Sequence, residues 1–426
     1  MKAFLTIVSS ILIVFAHASA EEDYEARGLA IANVHILPMT ADEVRYDQTI
    51  LLADGKVVMY GDADTLEIPE TFETLNGLGQ FVMPGLSDMH VHLRETDQGS
   101  LGRYLKAGVT QIREMNGRPF LLEWKNKIER GELDGPRMIV ASPSIGNFSS
   151  PREGYETPET VEEAEASVAS FQQDGYDLIK IHNFVPPDIF AAIVRSGREL
   201  NMPVAGHVPV VVSLNEALSA GLRSIEHMTG VFETVATEDG LAMDEKDFSG
   251  AYFGAPISKK KLNQAAKTLA SADIYLTASL VWFTKQLAFP PAEAAFSDID
   301  RRRLGLENRL AAVRAFQKAG VNMMMGTDSD GGGKLAATAI HEELALMTQA
   351  GLTPFEALRT ATVVPAQYLG RSGDGVIEKG ARADLILLAC NPLERIACVS
   401  YINGVVRDGE IVYWSHDSRR RHINRE

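Results

Sequence analysis

The clearest order in the chain is the spacing of its apolar runs. Short apolar stretches recur at residues 86–92, 109–115, 138–142, 178–182, 204–207, 224–227, 274–278 and 322–326. The segments between them carry the helical period, so the pattern predicts repeated βα units. Eight such units suit an α/β protein built as a closed (β/α)8 TIM barrel. A doubly wound open sheet is the rival, but its Gly-rich phosphate signatures are missing. Gly331-Gly332-Gly333 follows the acidic Asp328-Ser329-Asp330 and has neither the dinucleotide nor the P-loop spacing.

Outside this region both chain ends read as β-rich. Runs at 31–37, 49–52 and 56–60 are broken by turns such as Ala53-Asp54-Gly55, and similar runs return at 384–388, 399–405 and 410–414. Neither end alone has enough strands for a stable layer. The economical arrangement is a small β-sandwich subdomain of residues 27–83 and 367–415 attached to a barrel domain of residues 84–366. The connections 228–273 and 283–300 are long enough to cover a site.

Met1 and Lys2 precede an apolar run at 4–15 followed by Ala18-Ser19-Ala20, the pattern of a signal peptide spanning 1–20. The run is shorter than the roughly 20 residues a membrane helix needs. The expected destination is therefore secreted or periplasmic, with no membrane partner once the leader is cut. The remaining chain is ordinary in its 45% apolar content but acidic, at −16 overall and −17 without Lys2. That balance argues against nucleic acid as a partner and leaves a small-molecule substrate. A homo-oligomer is compatible with the sequence and not required by it. Cys390 and Cys398 are the only cysteines, and either a disulfide or two free thiols fits.

Candidate chemistry begins at Pro84-Gly85-Leu86-Ser87-Asp88-Met89-His90-Val91-His92. Residues i and i+2 of a strand face the same way, so His90 and His92 can address one cation. Alone the pair is weak, because a polar strand end yields it by accident. However, Lys180, His207, His227 and Asp328 fall at the C-terminal ends of later predicted strands, the rim where barrel active sites form. Each has an ordinary alternative: His207 or His227 as a hydrogen-bonded core residue, Asp328 as a helix cap. Lys180 is hardest to explain away, since a lysine inside Leu178-Ile179-Lys180-Ile181 costs several kcal/mol unless neutralised or paired.

These features together resemble the amidohydrolase superfamily, in the group containing dihydroorotase, prolidase-like and imidazolonepropionase-like enzymes. The resemblance rests on Pro84-Gly85-Leu86 with His90 and His92, Lys180, Gly206-His207, Ile225-Glu226-His227 and Gly326-Thr327-Asp328. It extends through 51–61, the helix 351–358 and 380–387, and so covers nearly all of the mature chain. It implies two divalent metal ions and a CO2-derived carbamate on Lys180 that bridges them. His90, His92 and Asp328 would hold the inner ion, and His207 and His227 the outer one. Zinc suits imidazole and oxygen ligands, with manganese, cobalt or iron as alternatives.

The implied reaction is hydrolysis of a C–N bond in an amide, dipeptide or cyclic amide, with Asp328 as the catalytic base. His182, two residues beyond Lys180, and Arg113, on the second predicted strand, are candidate substrate contacts, with a structural role equally open to each. Lactone or phosphotriester hydrolysis on the same binuclear centre is the alternative chemistry. Deamination is disfavoured, because His207 is followed by Val208-Pro209-Val210 rather than by a glutamate at the third position. A non-catalytic metal- or ligand-binding protein would have little reason to keep every ligand type.

Overall fold

The computed structural model describes residues 27–146, 154–237, 254–288, 299–329, 335–371 and 373–415. The expected signal peptide, Asp330 with Gly331–Gly333, residues 238–253 of the 228–273 connection and most of the 283–300 connection lie outside these residues.

The N-terminal part forms β1 (Gly28–Ile36), β2 (Arg45–Ala53), β3 (Lys56–Asp62) and β4 (Phe72–Pro84). The chain then enters β5 (Leu86–Val91), β6 (Val109–Glu114) and β7 (Arg137–Val140), which form one parallel sheet. A short pair follows, β8 (Ser144–Ile145) and β9 (Tyr155–Glu156). Next come β10 (Ile179–Ile181), β11 (Val204–Gly206), β12 (Ser224–Glu226), β13 (Tyr275–Thr277) and β14 (Asn322–Met324), paired in parallel in that order. The last three strands are β15 (Leu385–Leu388), β16 (Ile402–Arg407) and β17 (Glu410–Trp414).

Eight parallel strands therefore follow one another in a ring that its ladders do not close: β5, β6, β7, then β10 to β14. The ladders are interrupted at two seams, each spanned by a single parallel bridge, Ala141 with Leu178 and Val91 with Ser329. Ser142 N donates to Leu178 O at the first seam, and His92 N to Ser329 O at the second, both at 2.8 Å. The second seam brings the two ends of the strand series together, so residues near 90 lie beside residues near 328.

Helices cover the outside of the ring for the usual amphipathic reason. The helix Pro187–Glu199 after β10 buries Ile189, Phe190, Ala192, Ile193 and Val194 along one side. The helix Leu214–Ala220 is opened by a reciprocal cap, Glu216 N donating to Ser213 Oγ and Ser213 N to Glu216 Oε2, and closed by Gly221 in the left-handed region. No helix among the described residues is long and apolar enough to cross a membrane.

Strands from the two chain ends pair in a single seven-stranded sheet of order β17-β16-β15-β4-β1-β2-β3. Ile31, Leu52, Val57, Leu385, Val406 and Trp414, drawn from both halves of that sheet, share one hydrophobic core. The strand expected over 399–405 is corrected. Residues Ile396–Ser400 form a 3-10 turn and pairing starts only at Ile402. Cys390 and Cys398 flank that turn and form a disulfide, with Cα atoms 5.4 Å apart.

Candidate active site

The six side chains singled out in the sequence converge at the C-terminal mouth of the ring. His90 lies within β5 and His92 just past it, Lys180 is on β10, and His207 follows β11, His227 β12 and Asp328 β14. His90 Nε2 is 3.2 Å from His92 Nε2 and 3.6 Å from Asp328 Oδ1, and His92 Nε2 is 3.2 Å from the same oxygen. His227 Nε2 stands 3.8 Å from Asp328 Oδ2. The His227 ring lies 4.4 Å from that of His90 and 5.2 Å from that of His207. Lys180 is 1% exposed, and its charge acts on His90, His207, His227 and Asp328 alike.

The backbone is bent to deliver these groups. His227 and Asp328 both adopt left-handed conformations, at φ 58° and 57°. Such residues cost on the order of 1–3 kcal/mol and persist where surrounding bonds fix them. Here Thr229 Oγ1 donates to Glu226 O while accepting from Val208 N, which ties the two histidine-bearing turns together. Asp88 fastens the Asp328 segment to β5, accepting from Thr327 N at 3.0 Å and Thr327 Oγ1 at 2.7 Å. Burial raises the Asp88 carboxyl to about 7. Gly206 precedes His207 at φ 139°, where a Cβ would come within 2.0 Å of Ile181 O. Only glycine allows β11 to lie so close to β10.

Below the histidines sits a buried polar layer that sequence reasoning missed. Glu226, fully buried, accepts from Arg113 Nη2 and Ser224 Oγ at 2.7 Å each, from Thr277 Oγ1, and from His90 Nδ1 at 2.8 Å. A carboxylate on Nδ1 places the His90 proton there and leaves Nε2 as a lone pair aimed at the mouth. Glu114 faces His92 Nδ1 at 3.6 Å, and Asn183 Oδ1 accepts from His207 Nδ1. Each of the three histidines thus has an acceptor that turns its other nitrogen toward the cluster. One signal for the carboxylates was present: Arg113-Glu114 and Glu226 put charges into apolar strands, as Lys180 does.

The expectation that Arg113 meets a substrate carboxylate is corrected. Its guanidinium is fully buried, donates to Met89 O, Ser224 Oγ and Glu226, and lies over the Tyr368 ring. It neutralises Glu226 beneath the mouth. His182 is at the mouth, its ring 4.3 Å from that of His207 and 5.5 Å from that of Tyr155.

Electrostatics sort the cluster. Burial holds His90, His207 and His227 well below the usual imidazole range, and the Lys180 charge adds to this, so each offers a neutral lone pair. Burial also lowers His92, but its bonds to Asp328 and Glu114 outweigh that and lift it to about 9. Burial alone would raise Asp328, yet His227, His92 and Lys180 hold it below the ordinary carboxylate value. Lys180 is brought down to about 8 by burial, opposed by Glu226 and Asp328. One atom each from His90, His92 and Asp328 lies within 4.8 Å of the other two, a donor set that fits a metal ion.

A ring of parallel strands with outer helices and a ligand-rich C-terminal mouth defines an α/β protein of the TIM-barrel type. The amidohydrolase family model matches residues 81–412, and the chain belongs to that family. Ochratoxinase from Aspergillus niger is 24% identical over 378 residues, covering 74% of this chain and 71% of that protein. Its crystal structure superposes with a TM-score of 0.72 at 18% identity, over 92% of this chain and 97% of the other. Imidazolonepropionase from Idiomarina loihiensis is 23% identical over 90% of this chain and 99% of its own length. A putative prolidase from Bifidobacterium longum gives a TM-score of 0.72 at 23% identity, over 93% of this chain and 98% of that structure.

Proposed function

We propose that this protein hydrolyses a C–N bond in a small amide, dipeptide-like or cyclic amide substrate with the help of two divalent cations. The observation that carries the reading is the gathering of four histidines, Lys180 and Asp328 at one mouth, with outer acceptors on three of the imidazoles. His90, His92 and Asp328 would hold one cation and His207 and His227 the other. Lys180, as a carbamate formed with CO2, would be their shared ligand. Zinc suits these donors. When bound, the cations would supply Lewis acidity that lowers the pKa of water to about 7.

The remaining work falls to the chain. Asp328, ionised and beside His90, His92 and His227, accepts the proton of the attacking water and returns it to the departing nitrogen. Carbamylation of Lys180 would replace a buried cation with an anion that the two cations could pair, which offsets the cost of a lone charge in β10. Glu226, Glu114 and Asn183 hold imidazole orientation, and His182, packed on His207, would meet the substrate. This reading takes the ring as a closed (β/α)8 barrel of residues 84–366, with residues 27–83 and 367–415 as its β-sandwich subdomain. It takes the protein as secreted or periplasmic after loss of residues 1–20, which the Cys390–Cys398 disulfide supports.

Metal-loaded protein assayed against N-acyl amino acids, dipeptides and cyclic amides tests the activity, with Asp328→Asn as the control. Turnover should need the metal and fall by about 10²-fold or more in the variant. Unchanged turnover in Asp328→Asn would remove the assigned base.

A further inference from the structure

Outside the histidine-lined mouth, the turns that follow β11 and β12 enclose a cavity of about 410 Å³. One wall is the segment 208–214, which begins directly after His207, and the other is the segment 230–234 at the helix Val231–Val235. None of the six side chains gathered at the mouth is among its lining residues.

Backbone hydrogen bonds fix both walls. Val208 N donates to Thr229 Oγ1 at 3.0 Å, Val210 N to Asn183 O at 2.9 Å and Val212 N to Pro209 O at 2.9 Å. Gly230 sits at φ 77°, where an added Cβ would come within 2.8 Å of Val208, so the two turns approach as closely as glycine permits. The space is therefore built into the turns. Val211 and Thr234, both exposed, lie on its rim.

The lining is aliphatic with an acidic side. Val208, Pro209, Val210, Val212 and Leu214 supply branched apolar surface. Its ionisable groups are Glu216 and Glu233, with no lysine, arginine or histidine among the described lining residues. Glu216 is committed to Ser213, accepting from its N at 2.8 Å and its Oγ at 2.6 Å. Glu233 is less well satisfied. Its carboxylate leans on backbone N–H groups at Gly230 and at its own position, but Oε2 is buried with no hydrogen-bond partner among the described residues. Burial pushes this carboxyl above its ordinary value, and Arg309, which lies over the Phe232 and Phe283 rings, offsets that only in part. A buried carboxylate oxygen without a partner costs free energy that a cation with N–H donors recovers.

We infer that this cavity is a binding site, separate from the histidine-lined mouth, for a small organic ammonium ion with a branched or cyclic aliphatic body. The ammonium donates to Glu233 Oε2, and the aliphatic body fills the valine-lined wall. The inference goes beyond the amide-hydrolase reading and needs neither a metal ion nor turnover.

Calorimetry of cyclohexylmethylammonium and of cyclohexylmethanol, its neutral counterpart, on metal-free and zinc-loaded protein is the test. The wild type should bind the ammonium about 10-fold or more tightly than the alcohol, with or without zinc, the range for a hydrogen bond to a charged group. Glu233→Gln should lose that preference. Thr234→Trp, which crowds the rim and leaves the carboxylate in place, should weaken both compounds. Equal binding of the two compounds by the wild type, or no binding of either at millimolar concentration, overturns the assignment. So does an ammonium preference that survives in Glu233→Gln. Binding that appears only with zinc also overturns it, since the amine would then sit at the metal centre. If Glu233→Gln does not fold, Thr234→Trp decides, and ammonium binding indifferent to that change removes the site.

Discussion

Glu226→Gln is the most informative single change in this protein, because it is nearly isosteric and reverses one hydrogen bond. Glu226 now presents acceptors only, to Arg113 Nη2, Ser224 Oγ, Thr277 Oγ1 and His90 Nδ1. A glutamine must place an NH2 group on one side of that set. With its oxygen kept toward Arg113 and Ser224, the NH2 faces His90 Nδ1 at 2.8 Å and forces the imidazole proton onto Nε2. The lone pair aimed at the mouth is then lost. Loss of such an orienting partner typically costs about 10- to 100-fold in metal affinity, or about 1.4–2.7 kcal/mol. Arg113 also loses its carboxylate in a fully buried position, where an unpaired charge costs up to about 3–5 kcal/mol of folding stability. Metal content by mass spectrometry, zinc competition against a chelator and thermal unfolding of the metal-free protein separate the two effects. Thr277→Val, which removes a donor and leaves His90 alone, should affect metal affinity much less. An E226Q protein that binds zinc as tightly as the wild type would refute the role given to Glu226.

Other consequences can be checked directly. Gly206→Ala should abolish or sharply reduce soluble folded protein, since its Cβ would sit 2.0 Å from Ile181 O at φ 139°, as expression and melting experiments will show. Reducing Cys390–Cys398, or changing both to serine, should destabilise by about 2–3 kcal/mol for so short a loop, measured by denaturant unfolding, with activity retained. Glu343 accepts from Leu280 N and Val281 N, and burial raises it from 4.5 to about 8. The folded state therefore holds a proton that the unfolded state releases, so this contribution is present below pH about 4.5 and is lost as pH rises through about 8. Glu343→Gln should flatten the fall in stability across that window, and an unchanged slope would contradict the assignment.

Residues whose chemistry narrows their identity were readable before any coordinates. A His-x-His at a strand end and a Gly-Thr-Asp at the last strand were each weak alone, and a lysine inside an apolar strand was hard to explain away, but the strand spacing assigned all three to one rim. The supporting groups were not readable in the same way. Glu226 matters because it touches His90, 136 positions away, and Asn183 because it touches His207 across the mouth. Neither relation leaves a local period. Arg113 misled because position along a strand was taken for position at the mouth. It lies one residue short of the end of β6, and its side chain turns inward to the buried Glu226 carboxylate, which neutralises it. The strand expected over 399–405 starts three residues too early because apolar content does not separate a buried turn from a strand, and Val399 is wholly buried in the turn.

Strand β4 pairs with β1 on one side and with β15 on the other, Pro84 opposite Leu385, so neighbours in the sheet are about 300 positions apart in the chain. During synthesis the first fifth of the polypeptide must therefore wait for nearly the last tenth. A chain cut short before Leu385 would present the edge of β4 bare, an invitation to pair with another copy. Arrival of β15 is in this sense recorded in one hydrogen-bonded seam, and only a chain that extends through Leu388 can bury it.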